Sequence, residues 1–214
     1  MHGLFITLEG GEGSGKSTLM KALMARCAEN SIDAISTREP GGTPLAEKLR
    51  DLVLNPPAET PISPFAAALM VNAARVDHLE HKIRPALEKG TWVISDRFAD
   101  STLAYQGASG GVPMAILRSL EAATLGDTRA DLTLILDAEP EALLERRKAR
   151  GLALDAFETQ PLEFHRSVRQ AFLQIAEDDP ARCHVLNALR TPERLLEDAW
   201  TAIMAKQKAK MSSS

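Results

Sequence analysis

The feature that most constrains this chain of 214 residues is a glycine-rich segment close to its start. The segment fits the pattern G-x-x-x-x-G-K-[ST] and consists of Gly10, Gly11, Glu12, Gly13, Ser14, Gly15, Lys16 and Ser17. It follows an apolar run typical of a strand and precedes a pattern typical of a helix. Glycines allow successive backbone N–H groups to converge on a phosphate, and the helix N-terminus adds its positive dipole end. This order predicts an α/β domain that binds nucleotide phosphates.

The polar side chains of this loop predict phosphate and metal contacts. Lys16 adds a full positive charge, and Ser17 is placed to bind a Mg²⁺ ion that bridges the phosphates of ATP. Thr18 completes the predicted phosphate-binding set. The alternative is a glycine-rich turn that binds nothing, and the complete motif between a strand and a helix argues against it.

The loop by itself does not define the class of protein, because kinases, GTPases and ATP-driven motors share it. The sequence lacks the N-K-x-D motif that recognises guanine, the D-x-x-G switch motif and the L-S-G-G-Q motif of transporter ATPases. A signalling GTPase and a transport ATPase are therefore disfavoured.

Strand-like and helical patterns alternate along the chain. The runs with strand character are Leu4–Leu8, Ala34–Thr37, Trp92–Ser95, Leu132–Leu136 and His184–Leu186. Strands that are almost continuously apolar and alternate with helices favour a parallel sheet covered on both faces. We expect a three-layer domain with a mostly parallel, five-stranded sheet.

A long helix is predicted from Phe65 onward, because apolar residues recur there at intervals of three or four. Its expected apolar face consists of Leu69, Ala73, Val76, Leu79 and Ile83. A second face of the same helix carries Val71, Arg75 and His78.

Composition and charge indicate a single globular domain, for which we expect residues 1–206, with a mobile lid at about 146–158 and a polar tail at 207–214. The formal charge of −4 argues against a nucleic-acid partner, which would need a broad basic face. Cys27 and Cys183 lack the spacing of a zinc site and are expected to be reduced and buried. No basic leader or membrane-length apolar run is present, so a cytoplasmic protein without membrane contact is expected.

Charged residues at two further places are candidate site residues. Asp96 and Arg97 end an apolar strand, where open α/β sheets bind ligands, so Asp96 could orient Mg²⁺ and Arg97 could bind a phosphate. A simple surface ion pair explains the two residues equally well. Arg146 and Arg150 lie on one face near a predicted helix end, where they could complement the helix dipole or belong to a lid that closes over ATP.

Several short motifs, in order along the chain, resemble those of the bacterial thymidylate kinases. They are Leu8-Glu9-Gly10, Thr37-Arg38-Glu39-Pro40-Gly41-Gly42-Thr43, Ala73-Ala74-Arg75, Asp96-Arg97, and Ser101-Thr102 followed by Tyr105-Gln106-Gly107. The resemblance covers essentially the whole chain. It implies transfer of the γ-phosphate of ATP to dTMP, giving dTDP, with Mg²⁺ as cofactor and a homodimeric assembly.

The resemblance also implies residue roles. The dTMP-binding residues would be Glu12, Arg38, Glu39, Val71, Arg75, Arg97, Thr102, Tyr105 and Gln106. Arg75 and Thr102 would contact the thymine edge, and Tyr105 would stand where a ribose 2′-hydroxyl would lie. The catalytic residues would be Lys16, Arg97, Arg146 and Arg150, and the metal site would involve Ser17, Glu9 and Asp96.

The chain departs from the family pattern at three places. Val71 replaces a phenylalanine that stacks on thymine, Ser109-Gly110-Gly111 replaces Gly-Arg-Gly, and Ala156 stands where an arginine often occurs in the lid. The phosphate loop carries no arginine, so the chain resembles the subgroup with catalytic arginines in the lid. Two other functions remain open, namely a kinase of another nucleoside monophosphate or nucleoside, and a nucleotide-binding protein without transfer activity.

Overall fold

A computed structural model of the chain describes residues 3–57, 59, 61–148 and 159–212. Within these residues one parallel sheet has the order β2-β3-β1-β4-β5. Its strands are β1 (Phe5–Glu9), β2 (Ala34–Arg38), β3 (Trp92–Asp96), β4 (Leu132–Asp137) and β5 (Cys183–Asn187). The predicted fold class is confirmed, and each strand lies within one residue of its expected bounds.

Helices connect the strands and cover the sheet. They are α1 (Lys16–Glu29), α2 (Pro44–Leu54), α3 (Pro64–His78), α4 (Arg84–Glu88), α5 (Ala99–Thr102), α6 (Met114–Leu125), α7 (Pro140–Lys148), α8 (Leu162–Asp178) and α9 (Pro192–Ser212). Two π-helical segments, Leu79–Ile83 and Leu103–Ala108, follow α3 and α5 directly. No described helix is both long enough and apolar enough to span a bilayer.

The core consists of layers on the two faces of the sheet, because alternate strand residues point to opposite faces. Ile6 and Leu8 of β1 pack in one cluster with residues of α1 and α9 such as Leu23 and Ile203. Phe5 belongs to a different cluster, in which it packs with residues that follow α3 and with β3. Cys27 and Cys183 are free and buried, as predicted.

The predicted orientation of the long helix is wrong in its first half. Leu69 is 44% exposed and Ala73 is exposed, whereas Val71, Arg75 and His78 are buried. The polar members of the buried face are tolerated because hydrogen bonds satisfy them. Leu79 and Ile83 are buried as expected, and they lie in the π-helical segment, whose extra residue per turn changes the phase of the apolar face.

The segment predicted as a polar tail continues α9 over residues 207–212. Lys206 Nζ donates to the carbonyl oxygen of Ala181 at 3.1 Å. Lys210 Nζ donates to Gly3 O at 3.0 Å and to Asp131 Oδ2 at 2.7 Å. These contacts hold the last turns of the helix against the edge of the domain, although the sequence there is polar. Residues 213 and 214 lie outside the described part of the chain.

Candidate active site

The loop between β1 and α1 forms a curled cradle, as the motif predicts. Gly10 has a φ of 126°, and a Cβ at this position would lie 2.4 Å from Leu136 O, so no larger residue fits. Lys16 Nζ donates to the carbonyl oxygens of Gly10 and Gly11, both at 3.1 Å. Burial, together with the nearby charge of Arg97, lowers the pKa of Lys16. The Lys16 side chain is therefore folded back onto the loop. A bound phosphate would compete with these two carbonyl oxygens for its ammonium group.

Two of the three predicted metal-binding residues lie together at the mouth of the cradle. Ser17 Oγ is 3.5 Å from Asp96 Oδ2. A hydroxyl and a carboxylate are the hard oxygen ligands that Mg²⁺ prefers beside nucleotide phosphates, so these residues fit the ion. Glu9, the third, is fully buried, and its oxygens accept from Phe98 N at 2.7 Å and Ser101 Oγ at 2.6 Å. Glu9 therefore supports the Arg97 segment in this structure.

The environment of Glu9 changes its acidity. Burial and the charge of Asp100 raise the pKa of Glu9 to about 7, while Arg97 and the two hydrogen bonds oppose the rise. Arg182 holds Asp100 in a bidentate ion pair, with distances of 2.6 and 3.0 Å from its two Nη atoms. The buried Glu9 and Asp100 and the partly buried Arg182 therefore interact in series.

Arg97 lies between the cradle and the neighbouring cleft. Its φ of 73° is unusual for a residue with a side chain. Its Nη1 donates to Gly10 O at 3.2 Å, and its Nη2 donates to Glu12 and to Tyr105 Oη, the latter at 3.1 Å. Burial lowers the pKa of Arg97, but Glu12 and other nearby acids more than offset this effect, so its pKa is raised and the side chain stays charged.

A cleft of about 620 Å³, including its solvent-filled mouth, opens beside Arg97. Of the predicted dTMP-binding residues, those that line the cleft are Glu12, Glu39, Val71, Arg75, Arg97, Thr102, Tyr105 and Gln106. Arg38 does not line it. The Arg38 side chain is 56% exposed, and its Nη2 pairs with Glu47 Oε2 at 2.9 Å.

Arg75 is almost completely buried in the wall of this cleft. Its Nε donates to Glu39 Oε2 at 2.7 Å, and its Nη2 donates to Thr102 Oγ1 at 3.0 Å. The predicted pair Arg75 and Thr102 therefore lies in direct contact. Tyr105 donates its hydroxyl to Glu12 at 3.1 Å on the side of the cleft next to the cradle.

Arg50, which none of the sequence motifs indicates, also lines the cleft. Arg50 Nη1 donates to Pro40 O at 2.9 Å. The sequence spacing carries a signal for Arg50. It lies four residues after Ala46 and three residues before Val53, so the three share one face of α2. Ala46 and Val53 are both buried. A cation within the buried face of an amphipathic helix indicates a site rather than a solvated surface.

The predicted lid arginines are only partly described. Arg146 Nη1 donates to Ala188 O at 3.0 Å, and Arg146 lines a small depression with Ser14, Thr18 and Arg190 on the α1 side of the cradle. Arg150 and Ala156 lie outside the described residues. The lid assignment for 146–158 therefore stays a prediction.

Comparisons with known proteins agree with this geometry. The profile of the family described as "Thymidylate kinase" matches residues 8–199. The chain belongs to the thymidylate kinase family. It is 45% identical over 204 residues to the thymidylate kinase of Bradyrhizobium sp. strain BTAi1, covering 94% of this chain and 90% of that relative.

Two further members of the family show the same relationship. The thymidylate kinase of Pseudomonas fluorescens strain Pf0-1 is 52% identical over 182 residues, which cover 85% of this chain and 86% of that protein. The crystal structure of thymidylate kinase from Ehrlichia chaffeensis superposes with a TM-score of 0.76 at 30% identity, covering 95% of this chain and 99% of that one. Each of these three relatives therefore matches at least 85% of this chain, and the solved structure shares its fold.

Proposed function

We propose that this protein transfers the γ-phosphate of ATP to dTMP, giving dTDP and ADP. The observation that carries the proposal is the position of Arg97, whose guanidinium contacts both the phosphate cradle and the wall of the adjacent cleft. A cation at this position can neutralise charge on the donor and acceptor phosphates together. Family membership identifies the acceptor as dTMP rather than another nucleotide.

The chemistry that this site must supply is mainly alignment and charge neutralisation, because phosphoryl transfer needs little covalent help from the protein. Lys16 and the backbone N–H groups of the cradle would hold the ATP phosphates. Arg97 would hold the dTMP phosphate in line with them. Ser17 and Asp96 would hold Mg²⁺, which neutralises phosphate charge when bound.

The cleft also explains a preference for thymine and deoxyribose. The Arg75 and Thr102 side chains offer polar groups to the base edge, while Val71 supplies apolar surface. Tyr105 is buried and bonded to Glu12, and it would form a rigid wall at the place where the family resemblance puts a ribose 2′-hydroxyl. The thymine methyl group adds only about 1 to 3 kcal/mol of discrimination in an apolar pocket.

An acceptor panel tests the proposal. ATP consumption is measured with Mg²⁺ and dTMP, dUMP, dCMP, dGMP, UMP or thymidine in turn. We expect the highest kcat/KM with dTMP and a value roughly 5- to 160-fold lower with dUMP, which lacks only the methyl group. Preference for another acceptor would favour the alternative kinase, and no turnover with any acceptor would favour a nucleotide-binding protein without transfer activity.

A homodimer is supported by exposed apolar side chains on α2, α3 and α6. They are Leu45, Leu52, Phe65, Leu69, Met114 and Ile116. Helix α3 contacts both α2 and α6, so these residues lie on adjoining elements. Exposed apolar surface of this kind is typical of protein interfaces. The mass of the protein in solution tests the proposed homodimer.

The cytoplasmic location stays a prediction.

A further inference from the structure

A buried histidine lies directly behind the wall of the acceptor cleft. His78 is fully buried at the end of α3, one turn after Arg75, and it does not itself line the cleft. Both of its ring nitrogens have polar partners. Nδ1 lies 3.1 Å from Glu39 Oε1, and Nε2 lies 2.7 Å from Thr37 Oγ1. No step of the proposed reaction uses this residue directly.

The partners of His78 define the direction of its hydrogen bonds. Glu39 already accepts from Arg75 Nε through its other oxygen, and a carboxylate paired with an arginine can only accept. His78 therefore donates to Glu39 from Nδ1. Nε2 lies within hydrogen-bond distance of the Thr37 hydroxyl, which can either donate or accept.

Arg75 is immobilised at the other end of this chain of bonds. Besides its bond to Glu39, Nη1 donates to Asn72 Oδ1 at 3.2 Å, and Nη2 donates to Phe98 O at 3.1 Å and to Thr102 Oγ1 at 3.0 Å. Four of the five N–H groups are thereby used, which leaves one on Nη1 without a partner among the described residues. The guanidinium plane is fixed, and one donor stays unused in a side chain that lines the cleft.

The backbone around His78 independently shows that the ring has little freedom to move. A Cβ on Gly42 would lie 2.5 Å from His78 Nε2 and 2.7 Å from Thr37 Oγ1. The loop that follows β2 therefore packs directly on the ring and on its hydroxyl partner. Because this loop also carries Glu39, the ring connects the loop to α3.

We propose that His78 is a positioning residue for recognition of the acceptor base. It orients the Glu39 carboxylate, which in turn holds the Arg75 guanidinium so that its remaining N–H group faces the base. The proposal rests on the function proposed above, in which Arg75 contacts the thymine edge. Loss of the His78 donor should loosen Arg75 and weaken base binding, while the phosphate cradle stays intact.

The first experiment compares His78→Leu with His78→Asn. Leucine fills most of the space without a donor, whereas the asparagine amide can still donate toward Glu39. We expect His78→Leu to raise the KM for dTMP about tenfold, which corresponds to one lost hydrogen bond, and to leave the KM for ATP within about twofold. His78→Asn should recover much of the loss. An unchanged KM for dTMP in folded His78→Leu, or an equal rise in both KM values, would overturn the proposal.

A double-mutant cycle with Arg75→Lys shows whether His78 acts through Arg75. Lysine keeps a positive charge beside Glu39 but loses the forked donors. If Arg75→Lys alone leaves the KM for dTMP unchanged, the proposed contact of Arg75 with the base fails, and the role of His78 fails with it. If Arg75→Lys raises the KM, His78→Leu should add little in that background, and a full additional effect would contradict the proposal while retaining Arg75.

Two further variants complete the experiment. His81→Leu is the control, and Thr37→Val replaces His78→Leu if that variant does not fold. His81→Leu removes an exposed histidine from the segment after α3, and its KM for dTMP should match that of the unmodified protein. Thr37→Val removes only the hydroxyl that fixes the ring, and it serves if His78→Leu does not fold. We expect Thr37→Val to raise the KM for dTMP two- to threefold, and no change in the folded variant would count against the proposal.

Discussion

At the scale of single residues, the acceptor cleft combines polar and charged side chains with an apolar residue, Val71, that departs from the family pattern. Val71 lines the cleft at the position where the family resemblance implies a phenylalanine that stacks on thymine. The Val71 side chain is buried in the wall next to Arg75. Valine in place of phenylalanine therefore removes an aromatic surface from the base site, while the wall itself stays shielded from solvent. Under the proposed function, we therefore expect base binding to depend more strongly on the polar contacts of Arg75 and Thr102.

Val71→Phe should lower the KM for dTMP. A stacked aromatic ring contributes about 1 to 3 kcal/mol to the binding of a base, so we expect a reduction of roughly five- to tenfold, at the lower end of that range. Val71→Leu is the matched control, because it adds volume without a π face, and it should change the KM by less than about twofold. Steady-state kinetics with varied dTMP measures both variants, and an unchanged KM for Val71→Phe would contradict this account of the residue.

At the scale of elements, side-chain contacts extend helices beyond the limits that their own sequence suggests. The last turns of α9 are polar, and the sequence predicts a tail there. The structure retains the helix because Lys210 reaches Asp131, which also accepts from Phe5 N at 2.8 Å and so connects α9 to β1. The same principle applies to α3, whose polar buried face is compatible with the fold only because its partners lie on other elements.

Lys210→Ala should lower the free energy of unfolding by about 1 kcal/mol, since it removes a partly buried ion pair and a bond to Gly3 O. Lys208→Ala is the control on the same helix, because Lys208 is exposed. Chemical denaturation of the two variants measures the difference. Equal stabilities for both would show that the contacts of Lys210 do not stabilise the fold.

At the scale of the whole molecule, the sequence was sufficient for the sheet and the cradle but not for the network behind the site. The strands and the loop at residues 10–17 follow local rules of apolar pattern and motif spacing. The bonds of Glu9 to Phe98 and of His78 to Thr37 join residues 89 and 41 positions apart, and no local pattern predicts them. For the same reason the sequence does not indicate that Glu9 supports the segment that carries Arg97, and its role in a metal site stays a prediction.

The cradle and the acceptor cleft meet at Arg97, so the whole molecule should act as a phosphotransferase and not as an ATPase. The most direct test is to incubate the unmodified protein with ATP, Mg²⁺ and dTMP and to quantify dTDP and ADP together over time. We expect equal amounts of the two products, and almost no ADP when dTMP is omitted. ADP without dTDP, or neither product in a folded protein, would contradict the assignment of the cleft as the acceptor site.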